Sequence, residues 1–135
     1  MDHENFWQIL DTLVATSEII IDRPKGTTHP RHPDILYPLD YGYLQNTTSG
    51  DGAGIDVWIG SLPQKDITAI ILTVDLVKRD SEVKILLGCT PEDSQTILAI
   101  HSFTGNLAGI LIERKKLTKS KNNLPGQCSV DCFCS

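Results

Sequence analysis

The stretch that most limits what this chain can become is "ITAIILTVDLV", residues 67–77. Its apolar side chains are not interrupted often enough for a surface strand, and the run is far too short to cross a bilayer as a helix. It reads as a buried strand of the kind found inside a small barrel. The segment after it, "RDSEVKILLG", alternates instead. Asp80, Glu82 and Lys84 fall on one face of a strand, and Val83, Ile85 and Leu87 on the other.

The remaining elements follow from similar patterns. In "NFWQILDTLVA", Phe6, Ile9, Leu10, Leu13 and Val14 recur at helical spacing, which predicts an amphipathic helix over 4–16. "SEIIID" switches to a short strand that "RPKG" stops. Residues 27–36, "TTHPRHPDIL", carry prolines without a period and read as a loop. "YGYLQ" and "IDVWIG" are strands on either side of a glycine-rich turn. "TPEDSQTILAIHSF" starts a helix with Thr90 as cap, Pro91 in the first turn and Asp93 three past the cap. "GILIER", 109–114, is a last strand. Six short strands with one early and one late helix predict a mainly β, α+β fold: a small closed antiparallel barrel, OB-like, with flanking helices.

Size and composition set the outer bounds. With 135 residues, 40% hydrophobic and 21% charged, the chain suits one domain with its own core. Residues 1–114 are expected to form it, and 115–135 to be a disordered tail. No apolar run approaches the ~18 residues of a membrane span. The acidic start "MDHENFWQIL" lacks a secretory n-region, so a cytoplasmic location is expected. Residues 1–113 hold 7 basic and 16 acidic side chains, a balance that argues against a nucleic-acid surface. Cys128, Cys132 and Cys134 in the tail match no closed four-ligand zinc pattern.

The chemistry concentrates in three places. "SGDGAGIDVW" sets Asp51 and Asp56 in a bend where Gly50, Gly52 and Gly54 let the backbone curl, so both carboxylates could aim at one cation. The plainer reading is that Asp and Gly simply make turns. Asp80 and Glu82 add a second acidic pair beside Lys84, which could be their counter-ion in an ordinary salt bridge. If the strand at 82–87 lies beside that at 55–60, these acids meet at one mouth, with Asp22 as a further member. Lys84, Arg31, Lys25 and Arg23, with the hydroxyls of Tyr37, Tyr41 and Tyr43, could bind an anion. Acids for magnesium plus basic and phenolic donors suit a metal-bridged phosphate.

"YPLDYGYL", then "DGAGIDVW", then "DSEVKI", in that order, resemble the soluble inorganic pyrophosphatase family with the small barrel fold. "IIIDRPKG" is similar to that family's opening strand, and the resemblance covers roughly residues 18–88. It implies hydrolysis of pyrophosphate or a related phosphoanhydride with Mg²⁺, for which Mn²⁺ can substitute, in a homo-oligomer. It implies metal-binding roles for Asp51, Asp56, Asp80, Glu82 and Asp22. It implies phosphate contacts for Lys84 and Tyr41, and for Arg31, although the spacing from Arg31 to Tyr37 is two residues shorter than in the family.

The chain also departs from that pattern. Ala53 stands where the family has the aspartate beside the attacking water, and Gly54 where it has proline. A positioned carboxylate base is worth about 10²–10⁴-fold in rate, so slow hydrolysis is expected. The loop "KGTTHPRHPD" is short, and there is no tyrosine after Tyr43 and no lysine between Lys84 and Lys115. His29 and His32 in that loop could replace a base or ligand, or simply face solvent. The alternative function is a non-catalytic relative that binds metal and a phosphate ligand or a protein partner.

Overall fold

The computed structural model of the protein describes residues 3–50 and 52–115. Its elements are α1 (Glu4–Ala15), β1 (Ile19–Arg23), β2 (Asp40–Leu44), β3 (Ile55–Ile59), β4 (Ile67–Asp75), β5 (Asp80–Leu87), α2 (Pro91–Ile100) and β6 (Leu107–Glu113). Every expected helix and strand is present, with ends within about two residues of the sequence reading. The expected tail, from residue 116 on and with its cysteines, lies outside the described residues, as do Met1, Asp2 and Asp51. Among the described residues no helix is long and apolar enough to cross a membrane.

The six strands form one mixed sheet in the order β1-β2-β3-β5-β4-β6. This corrects the expected closed antiparallel barrel. β3 and β5 pair in parallel, with Val57 opposite Ile85 and Trp58 opposite Leu86. Among the described residues no ladder joins the edge strands β1 and β6. The reason is topological: the chain leaves β3, passes the place of β5 to lay down β4, and returns. A two-residue turn could not make that step, so the hairpin logic that suggested an all-antiparallel barrel fails here.

The long apolar run became β4, an interior strand antiparallel to both β5 and β6. Being sheet-interior and covered on both faces, it runs apolar from Ala69 to Leu72 without polar alternation. On one face, Ile67, Ile70, Val57, Ile85 and Leu87 pack with Leu44 and with Trp7 of α1. On the other, Ala69, Ile71, Trp58 and Leu86 pack with Ile97 of α2. The helices therefore cover opposite faces. α2 begins as the sequence requires: Thr90 Oγ1 accepts from Asp93 N at 3.0 Å, and Asp93 Oδ2 accepts from Thr90 N at 3.1 Å. Asp93 Oδ2 also accepts from Ser61 N and Ser61 Oγ, tying the helix start to the end of β3.

The β2–β3 turn is closed by Thr47, whose Oγ1 donates to Leu44 O and accepts from Ile55 N. Ser49 N donates to Ala53 O at 2.7 Å, and Gly52 takes a positive φ of 86°. Gly54, where the resemblance would place a proline, has its own packing reason. A Cβ there would meet Tyr43 Cδ2 at 2.8 Å.

Gly42 lies between Tyr41 and Tyr43 opposite Ile21 of β1. A Cβ at this position would sit 1.9 Å from Ile20 O. Gly42→Ala must therefore push β1 away from β2, and the expected loss is about 1–3 kcal/mol, as for an overpacked core. Chemical denaturation checks it; unchanged stability would show that β1 does not pack this closely on Gly42.

Candidate active-site cleft

The two faces of the sheet differ at one end. On the α2 face, β5 presents Glu82 and Lys84 before it turns apolar at Leu86, and β3 presents Asp56 beside Trp58. The parallel register that sets Trp58 opposite Leu86 brings Asp56 alongside Lys84. Lys84 Nζ donates to Asp56 Oδ2 at 2.6 Å and to Glu82 Oε1 at 2.8 Å. Tyr41 Oη, from β2, is 3.4 Å from the same nitrogen. The Glu82 and Lys84 side chains are 4% and 9% exposed, whereas Asp56 is 25% exposed, so Asp56 is the carboxylate open to solvent.

Burial alone would push the Lys84 ammonium toward neutrality. The charges of its neighbours and its hydrogen bonds to Asp56 and Glu82 outweigh this, and its pKa is raised. The ammonium is therefore fixed in the charged form. Burial raises the pKa of Tyr41, with Asp56 adding to the effect and Lys84 opposing it, so Tyr41 stays a neutral phenol.

Around this knot lies a cleft of about 680 Å³. It collects most of the residues singled out from sequence: Asp22, Arg31, Tyr37, Tyr41, Asp56, Asp80, Glu82 and Lys84 all line it. Lys25 does not; its backbone N–H donates to Asp40 Oδ1 at 2.8 Å. Asp51 lies outside the described residues. Tyr43 is absent from the lining and packs over the β2–β3 turn. Asp80 is 3.7 Å from Lys78 at the rim.

The short loop 27–36 folds over one side of the cleft. A bridge between Thr28 and Leu36 and a bond from Gly26 N to Tyr37 O close it. His29 stacks on Tyr37 with 6° between the rings and centroids 6.2 Å apart. His29 Nδ1 accepts from Arg31 N at 3.0 Å. Burial, and the charges of His32, Arg23 and Arg31, lower the pKa of His29, favouring the neutral ring. Arg23 Nη1 donates to Tyr37 Oη at 2.8 Å, so Arg23 belongs to this wall.

Of the contributors not singled out from the sequence, Trp58, His101 and Thr73 are buried and line the cleft. Trp58 Nε1 donates to His101 Nε2 at 3.0 Å. The Trp58 ring also packs on Tyr41 and Tyr37, at 4.7 and 5.7 Å between centroids. An indole and an imidazole 43 positions apart leave no local signal for their pairing.

As a resident metal centre the described residues do not fit. Among them no three His, Cys, Asp or Glu side chains cluster as a metal site. Asp56 and Glu82 offer hard oxygen donors of the kind magnesium takes, but the ammonium of Lys84 already lies against both. Ala53 adds no oxygen from its side chain.

No family model matches the chain, and no curated protein matches it. Among solved structures, a crystal structure of an inorganic phosphatase from Anaplasma phagocytophilum is similar with a TM-score of 0.47 and 14% identity, over 70% of this chain and 81% of that one. A likeness at that level carries no argument about activity.

His101 gives this site a pH signature. Burial, helped by the charge of Lys84, pushes its pKa down from 6.5 to about 3. The folded value lies below the unfolded one, so the stability it supports is complete above about pH 6.5 and is lost as pH falls toward 3. By pH 4.5 the loss should reach about 2–3 kcal/mol. His101→Gln, which keeps an acceptor for Trp58, should show a shallower acid limb in urea denaturation at a series of pH values. Identical limbs for parent and variant would contradict the assignment.

Proposed function

We propose that this cleft binds a phosphoanhydride of the pyrophosphate class and hydrolyses it slowly, with magnesium entering as part of the magnesium–phosphate substrate. The observation that supports it is the meeting of Asp56, Glu82, Lys84 and Tyr41 at one point, in a cleft that also holds Asp22, Asp80 and Arg31. Cations on the wall and floor, Arg31 and Lys84, suit the phosphate oxygens, and the neutral phenol of Tyr41 can donate a hydrogen bond. The carboxylates that face the cleft suit the cation such a substrate carries. Electrostatic positioning of this kind is the main lever for phosphoryl transfer, which asks little covalent chemistry of a protein.

The rate is expected to be low because the resemblance places a proton-accepting aspartate at the position of Ala53, which has only a methyl. The same feature, with Asp56 and Glu82 already paired to Lys84, favours one second reading: a protein that binds the phosphate ligand without turning it over.

Phosphate release from pyrophosphate with Mg²⁺ or Mn²⁺, measured against Asp56→Asn, separates the two. Hydrolysis should exceed that control, and Ala53→Asp should raise it by about tenfold or more, toward the range a positioned base provides. Release no faster than the Asp56→Asn control would remove the enzyme reading and leave binding alone.

A further inference from the structure

The cleft has two chemically different sides. The floor is charged, with Asp56, Glu82, Lys84 and the Tyr41 phenol. The opposite wall is aromatic, and pyrophosphate, which has no apolar surface, cannot use it. His32 of the short loop meets Phe103 of the α2–β6 turn edge to face, with centroids 5.6 Å apart. His29 lies 4.9 Å from His32 and continues the row onto Tyr37. Two separate segments of chain thus join to make one aromatic wall.

Phe103 is 49% exposed although it lines a cleft. A phenyl ring left half in water costs hydrophobic free energy unless something planar covers it. Thr104 and Asn106, from the same turn, also line the cleft and bring hydrogen-bonding groups to the neighbourhood of that ring. The volume points the same way: about 680 Å³ is in the range of sites for small organic molecules of about 300–1,000 Å³ and more than a bare diphosphate needs.

We infer that the ligand of this cleft is a nucleoside diphosphate, its phosphates on the Lys84–Tyr41 floor and its base stacked on Phe103 beside His32. The inference rests on the phosphate reading above and adds the organic part of the molecule. Stacking on an aromatic side chain is tolerant of base identity, because every base has a π face. Discrimination among bases is therefore expected to be weak.

The test uses the full chain, titrated calorimetrically with magnesium ADP and with magnesium pyrophosphate. ADP should bind about tenfold or more tightly than pyrophosphate, the size of one base–aromatic stack. Phe103→Ala should cut ADP affinity about tenfold and leave pyrophosphate within about twofold, and Phe103→Trp should restore ADP binding. Because Phe103 is exposed on a turn, a thermal melt should match the parent and exclude misfolding as the cause. ADP binding no tighter than pyrophosphate, or Phe103→Ala weakening both alike, would overturn the nucleotide inference and leave the phosphate reading standing. Binding of neither anion would overturn both.

Discussion

One ammonium group decides how this cleft is built. Lys84 Nζ is held between Asp56 and Glu82, with Tyr41 beyond, on the inward face of the central strand pair. Two carboxylates brought this close on adjacent strands, one of them 4% exposed, would repel each other and lose hydration without a counter-charge. The parallel pairing of β3 with β5 sets the problem by placing Asp56 beside Lys84 and Glu82. The lysine solves it. Its ammonium also lies 6.0 Å from the centroid of the Tyr41 ring.

What lies around the knot keeps it in place. Trp58, fully buried, is packed by Tyr37 and Tyr41 on one side and bonded to His101 on the other. His101 ends α2, and α2 is pinned by the mutual bonds of Thr90 and Asp93 and by Ser61. The cap of one helix is thus linked, through the indole, to the floor of the cleft. Arg23 and His29 grip Tyr37 from the opposite wall. The charged floor and the aromatic wall are consequently parts of one packed unit.

Much of this was legible in the sequence because it depends on period. The alternation of Asp80, Glu82 and Lys84 with Val83, Ile85 and Leu87 placed the charged face, and the Thr90–Asp93 spacing placed the start of α2. The adjacency of 82–87 to 55–60 was a conditional expectation, and the β3–β5 ladder meets the condition. The closed antiparallel barrel was not legible, because strand order and direction depend on how connections cross the sheet, and a period of two says nothing about that. Lys25 falls outside the lining of the cleft, past the turn at Pro24, with its backbone N–H bonded to Asp40. Trp58 and His101 escaped for the opposite reason: their hydrogen bond is long-range, and each alone reads as core.

Lys84→Met is the measurement that tests this most directly, because it removes the ammonium and keeps the stem. The account predicts a loss of about 3–5 kcal/mol at pH 7 in chemical denaturation, the cost of leaving buried carboxylates without their partner. Part of that loss should return in Lys84→Met/Glu82→Gln, where the most buried negative charge is gone. A Lys84→Met protein as stable as its parent would contradict the account, since the cleft would then be holding its acids together without the lysine.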